Sequence, residues 1–215
     1  MIEQPTTSYL ATPPSGDGNP ILVLHAWWGL NDTIKEICNR LAAEGFVAYA
    51  PDLYDGKITD NVDDAEAYAG DIFQNLDEAR QKVAEAVTYL SAQVSDPSGR
   101  EMAAIGFSLG AFFALDLSVL APDLVRSVVV FYGTRPGDYT KSQAAYLGHF
   151  AETDEFEPQE EVEALEQALK EAGRPVQFYH YPNTSHWFAE PDRHQAYNQE
   201  AAELAWERTV AFLKE

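Results

Sequence analysis

Short apolar runs alternate with stretches of helical period along most of the chain. Ile21 to Leu24, Phe46 to Ala50, Met102 to Phe107, Val125 to Gly133, Ala144 to Ala151 and Val176 to Tyr181 read as strands. They are short, largely apolar and rich in β-branched and aromatic side chains, as strands buried on both faces are. Ser8 to Ala11 reads as a shorter first strand, joined to the core by the Pro/Gly-rich turn Thr12 to Pro20. Between the runs lie four helical stripes. Ile34, Ile37, Cys38 and Leu41 form one, with Asn31, Asp32 and Thr33 as candidate caps and Gly45 beyond its end. Leu76, Ala79, Val83, Val87, Leu90 and Val94 form the next; Val162, Leu165 and Leu169, closed by Gly173, a third. Leu204, Ala205, Arg208, Ala211 and Phe212 carry a last helix to the C-terminus. This alternation predicts an α/β protein, a mostly parallel sheet with helices on both faces. With 215 residues, no internal repeat and no dividing linker, a single domain over 1–215 is expected.

Composition narrows the partners more than the fold. Fourteen Lys and Arg against 35 Asp and Glu leave a net charge of −21. Such a surface repels phosphate backbones and anionic lipid, so neither nucleic acid nor a membrane surface is expected as a partner. Ile58 to Ala79 alone holds seven acids and no Lys or Arg, and reads as a solvated loop and helix. The lone cysteine, Cys38, falls on an apolar stripe and reads as a small buried hydrophobe. The N-terminal segment has neither a basic nor an apolar leader region, and no apolar run approaches the ~20 residues of a membrane span. A cytoplasmic protein, monomeric or weakly dimeric, is the expectation. Asn183-Thr184-Ser185 has sequon form, which carries no meaning without secretion.

The sharpest chemical signal is Gly106-Phe107-Ser108-Leu109-Gly110, between a buried strand and a helical run from Ala111 to Leu120. A serine on a tight strand-to-helix turn needs small residues two before and two after, so that backbone can pass close by. Its hydroxyl then stands clear of the sheet, with the Leu109 N–H and the helix N-terminus facing any oxyanion. A serine hydroxyl also needs a base. Of five histidines, His149 and His180 lie within strands and His194 on a solvent-facing acidic segment. His186 lies in the loop after the last strand, at the sheet edge where the elbow emerges. The orienting acid is expected between serine and histidine in the chain, where Glu152, Asp154 and Glu155 compete. Asp154 is preferred, although spacing alone does not separate the three. No metal or cofactor signature is present: no phosphate loop, no paired cysteines, no His-x-x-x-His.

From Ile21 to the C-terminus the segments LHAWWGLND, PDLYDG, GFSLG, FYG, HFAETDEFEP and SHWFAE resemble the dienelactone hydrolase family of α/β-hydrolases. The resemblance implies an α/β-hydrolase fold, and 215 residues leave no room for a large inserted lid domain. It implies Ser108 as nucleophile, Asp154 as acid and His186 as base, with the N–H groups of Trp27 and Leu109 as oxyanion hole. Trp28, Tyr54, Tyr132, Phe156 and Trp187 sit in or beside the loops that would surround Ser108, and are candidate pocket walls. His25, beside the oxyanion loop, is expected to stabilise that loop.

This chain departs from the family's best-known members in three respects. Those members carry cysteine where Ser108 stands, and a glutamate that meets the resting thiol where Ala26 stands. They hold a substrate carboxylate with arginines, one of them four residues after the histidine, where this chain has Glu190; Lys and Arg are also missing between Lys57 and Arg80. Serine chemistry on small neutral esters, lactones or thioesters is therefore expected. Two alternatives are a non-catalytic ligand-binding or regulatory module, and a true dienelactone hydrolase whose carboxylate site is rebuilt from Arg135 or Arg193.

Overall fold

A computed structural model describes residues 7–95 and 101–215; the first six residues, part of the segment read for a leader, lie outside it. Seven strands form one sheet in the order β1-β3-β2-β4-β5-β6-β7, and the chain divides into two compact units, Met1–Ala104 and Ile105–Glu215. The expected α/β architecture, a mostly parallel sheet with helices, is what the chain adopts.

In the first unit, β1 (Tyr9–Ala11) is an edge strand antiparallel to its neighbour, pairing Tyr9 with Ala50. Next come β2 (Asn19–Leu24), α1 (Asp32–Ala43), β3 (Phe46–Ala50), α2 (Val62–Gln74) and α3 (Leu76–Ser91). Strands β2 and β3 run parallel, Ile21 opposite Ala48. Both bury nearly every side chain, which is why they read as apolar runs without alternation. Asn31 caps α1, its side-chain oxygen accepting the Ile34 N–H at 3.1 Å. Gly45, at φ 99°, ends that helix. The acidic stretch is α2, which buries only Ala65, Ala69 and Ile72 and leaves its carboxylates in water. Val94 lies beyond α3 but is buried with its stripe. His25 is fully buried and bridges the loops after β2 and β3. Its Nδ1 donates to the Ala26 carbonyl at 2.8 Å and its Nε2 accepts the Leu53 N–H at 3.1 Å. Burial lowers its pKa, keeping the ring neutral as this pattern needs. Cys38 is also buried, its thiol pushed up to about 12 by desolvation, so it packs as a hydrophobe.

The second unit opens within β4 (Met102–Phe107) and continues α4 (Leu109–Leu120), β5 (Val125–Phe131), β6 (Ala145–Ala151), α5 (Gln159–Glu171), β7 (Val176–Tyr181) and α6 (Gln199–Leu213). The last three strands are parallel, with Phe131 opposite His149 and His149 opposite Tyr179. Helix α4 is apolar almost all round and starts at Leu109, two residues before the expected run, because the elbow feeds directly into it. Strand β5 stops at Phe131 rather than Gly133, because Tyr132 turns to φ 38° and leaves the ladder. The expected face of α6 is corrected. Ala201, Ala205 and Thr209 point inward, and Leu204 is exposed. The reason is a polar group inside: buried His149 on β6 reaches out with Nε2 to the Thr209 hydroxyl at 2.9 Å and with Nδ1 to the Tyr181 hydroxyl at 2.8 Å. His180, by contrast, is on the surface.

Among the described residues no helix is long and apolar enough to cross a membrane, and no group of three or more His, Cys, Asp or Glu is placed to hold a metal ion.

Candidate active site

The site grows from the ends of four strands in the second unit. Backbone hydrogen bonds continue past the ladder and tie the loops together. The Ser108 N–H donates to the Phe131 carbonyl at 2.9 Å, the Tyr132 N–H to His149 at 2.8 Å, the Glu152 N–H to Tyr181 at 3.2 Å and the Thr153 N–H to Thr184 at 3.2 Å. Thr184, the middle residue of the sequon, is buried for this purpose. Its hydroxyl donates to the Tyr181 carbonyl at 2.6 Å and accepts the Glu152 N–H at 3.3 Å.

Ser108 occupies the turn between β4 and α4 at φ 49° and ψ −112°, a conformation costing about 1–3 kcal/mol for a residue with a Cβ. Its neighbours explain how the turn closes. A Cβ on Gly106 would run into the Gly110 carbonyl, and one on Gly133 would sit 2.6 Å from the Ser108 carbonyl oxygen and 2.7 Å from the Ala111 Cβ. Leu109 is the first residue of α4, so its amide is one of the N–H groups a helix start leaves without an internal acceptor.

Ser108, His186 and Asp154 form one continuous chain of hydrogen bonds. Ser108 Oγ lies 2.9 Å from His186 Nε2, and His186 Nδ1 lies 2.7 Å and 2.9 Å from the two carboxylate oxygens of Asp154. A carboxylate on Nδ1 requires the proton there, which leaves Nε2 as acceptor for the serine hydroxyl. The carboxylate is aimed in turn, because Asp154 Oδ1 accepts the backbone N–H groups of Phe156 and Glu157, both at 2.9 Å. The side chains of His186 and Asp154 are only 5% and 7% exposed, so little water competes for these bonds. Of the other two acids that were candidates for the role, Glu152 accepts the Asn183 N–H at 2.8 Å and so braces the histidine loop, while Glu155 is exposed.

The remaining predicted residues divide by place. Phe156 and Trp187 pack on the His186 ring with centroids at 5.1 and 4.8 Å, and Phe156 keeps 44% of its surface in solvent. Tyr132 packs on the same ring at 5.0 Å but has no exposed surface. In the first unit, Trp27 follows β2, half-buried, and Trp28 and Tyr54 are nearly fully buried, Tyr54 edge-on to His25 at 4.9 Å.

Sequence reading gave no role to Glu157 or Asp116, named Glu190 only as the place of a missing arginine, and offered Arg135 and Arg193 for a carboxylate site. Glu190 is wholly buried; its Oε1 accepts the Tyr132 hydroxyl at 2.7 Å, and burial lifts its carboxyl to about 8. Glu157 is half-buried behind Asp154, hydrogen-bonded by the Thr134 hydroxyl and raised by desolvation. Arg135 is engaged by buried Asp116 of α4 at 2.7 Å, and Arg193 by Asp192 at 2.8 Å. A lone acid in the apolar run LGAFFALDLSVL was the visible hint for Asp116.

A parallel sheet, a serine on the strand-to-helix turn and a histidine and an acid on later loops define an α/β-hydrolase. The dienelactone hydrolase family model matches residues 6–215. A protein of Aquifex pyrophilus named Protein usf is 35% identical over 213 residues, covering 96% of this chain and 92% of its own. Among solved structures, m3DLH is 25% identical with a TM-score of 0.84, covering 95% of this chain and 90% of its own. A dienelactone hydrolase-like promiscuous phosphotriesterase from metagenomic libraries is also 25% identical, with a TM-score of 0.81 and coverage of 93% and 88%. The chain belongs to the dienelactone hydrolase family, and with it to the carboxylic ester hydrolases.

Proposed function

We propose that the protein is a serine esterase that cleaves small neutral carboxylic esters, with lactones and thioesters in the same class, through Ser108, His186 and Asp154. The observation that carries this reading is the pair of bonds on His186, to Ser108 Oγ at 2.9 Å and to Asp154 Oδ2 at 2.7 Å. Ser108 Oγ attacks the carbonyl carbon while its proton passes to His186 Nε2, and Asp154 stabilises the imidazolium. The carbonyl electron pair moves onto oxygen, where the Leu109 amide donates, contributing about 3 kcal/mol. Collapse breaks the carbon–oxygen bond of the ester, and the leaving alkoxide takes the proton from His186. Water, deprotonated by His186, then attacks the acyl carbon, and Ser108 recovers its proton as the acid leaves. Phe156 and Trp187, packed on the His186 ring, are the pocket walls on the histidine side, with Tyr132 against the same ring.

Neutral substrates are favoured by what surrounds the histidine. The residue four positions after it is a buried acid, Glu190. Arg135 and Arg193, the candidates for a rebuilt carboxylate site, are each engaged by an aspartate. The overall charge of −21 repels an anionic substrate further.

A fluorophosphonate probe followed by peptide mapping tests the mechanism, and paired substrates test the specificity. Labelling is expected at Ser108 alone and absent from a folded Ser108→Ala variant, with kcat on p-nitrophenyl butyrate lowered by several orders of magnitude. A methyl ester is expected to exceed the matching free-carboxylate lactone in kcat/KM. Full turnover by Ser108→Ala would remove the mechanism, and a preference for the carboxylate would remove the substrate class.

A further inference from the structure

We infer that Glu190 is a positioning residue for His186, acting through Tyr132; this rests on the Ser108–His186–Asp154 reading above. Glu190 ties down two of the non-glycine residues of positive φ beside the imidazole. Trp187, next in the chain to His186, has φ 66°, and its carbonyl accepts the Glu190 N–H at 3.0 Å. Tyr132, at φ 38°, lies against the imidazole at 5.0 Å, and its hydroxyl donates to Glu190 Oε1 at 2.7 Å. The Glu190 carbonyl accepts the Arg193 N–H at 3.0 Å, which holds the glutamate itself in place. One side chain and its own amide thus brace the floor under the imidazole and the turn that follows it.

The second carboxyl oxygen, Oε2, is buried without a hydrogen-bond partner. An ionised carboxylate left that way is costly, and the neutral acid is the form that fits. The carboxyl pKa of about 8 agrees, desolvation being the main cause, opposed by the Tyr132 hydrogen bond and by Arg193, with Asp192 adding to the rise. Ionisation above that pH places a negative charge one ring away from His186, with Asp154 and Asp192 already acting on the Tyr132 phenol. The base is then altered at alkaline pH by a group that never touches substrate.

The test compares wild type, Glu190→Ala, Glu190→Gln and Tyr132→Phe, each verified as folded by near-UV circular dichroism. The rate of fluorophosphonate labelling at Ser108 and kcat and KM on p-nitrophenyl butyrate are measured from pH 6 to 10. Glu190→Ala and Tyr132→Phe are expected to lose about tenfold in kcat and in labelling rate, with KM within about twofold. Glu190→Gln, whose amide oxygen accepts the same phenol bond, is expected to stay within about threefold of wild-type kcat while losing the inflection near pH 8. Should Glu190→Ala not fold, Tyr132→Phe and Glu190→Gln make the same comparison. Wild-type labelling together with an unchanged Glu190→Ala rate, or an alkaline inflection shared by wild type and Glu190→Gln, overturns the positioning role alone. Absence of labelling in wild type overturns it along with the serine mechanism.

Discussion

His149 makes acid pH a stability problem that the sequence composition does not suggest. It is fully buried between the Tyr181 and Thr209 hydroxyls, and its carbonyl holds the Tyr132 amide. Desolvation, reinforced by the Arg208 charge, lowers its pKa from 6.5 to about 3. The native state therefore refuses a proton that the unfolded chain accepts below pH 6.5. Its stabilising contribution is present above that pH and is lost progressively down to about pH 3. With those two values, going from pH 7 to pH 5 removes about 2 kcal/mol, a sizeable part of the ~5–15 kcal/mol a domain has to spend. Urea denaturation of wild type and His149→Gln at both pH values isolates the effect. The variant loses two hydrogen bonds and is less stable at pH 7, but its own fall on acidification should be smaller than that of wild type by about 2 kcal/mol. An equal fall in both proteins would mean that His149 is protonated in the native state, and the reasoning would fail. Because β6 carries His149, esterase activity should disappear with the same midpoint as the acid transition.

Two further substitutions test the scaffold of the site. Gly133→Ala forces a Cβ to within 2.6 Å of the Ser108 carbonyl, and is expected to cost about 1–3 kcal/mol in urea denaturation and to slow Ser108 labelling more than tenfold. Arg135→Met takes away the 2.7 Å partner of buried Asp116 and should cost about 3 kcal/mol, most of it recovered when Asp116→Asn is added. A double-mutant cycle in the same denaturation assay reads both numbers.

Strand positions were legible because each depends on local pattern. Six apolar runs became strands within two residues, and Ser108 and His186, picked out by motif and loop position, lie within hydrogen-bond distance, with Asp154, which only the family resemblance singled out, on the far side of the ring. The failures share a cause, a polar group turned inward. Helix α6 presents Thr209 to the core because His149 is waiting there, and hydrophobic periodicity alone assigns that face to Leu204. Strand β5 ends early because Tyr132 bends towards Glu190, 58 positions away in the chain. Glu190 was visible only as a missing arginine, because nothing local announces that an acid will be buried. The pairing of Asp116 with Arg135 likewise emerges only once α4 and the loop after β5 are folded together.

At the elbow, the atoms that hold the turn are not the atom that faces the histidine. The unusual backbone angles of Ser108 are held by its amide on Phe131, by its carbonyl receiving the Ala111 N–H at 2.8 Å, and by the clearance that Gly106 and Gly133 provide. Its hydroxyl faces His186 at 2.9 Å. Replacing that oxygen with sulfur would ask nothing new of the main chain. A lineage with this architecture can therefore exchange an alcohol for a thiol by a single codon change, and settle afterwards which neighbours the new leaving-group preferences and redox sensitivity require.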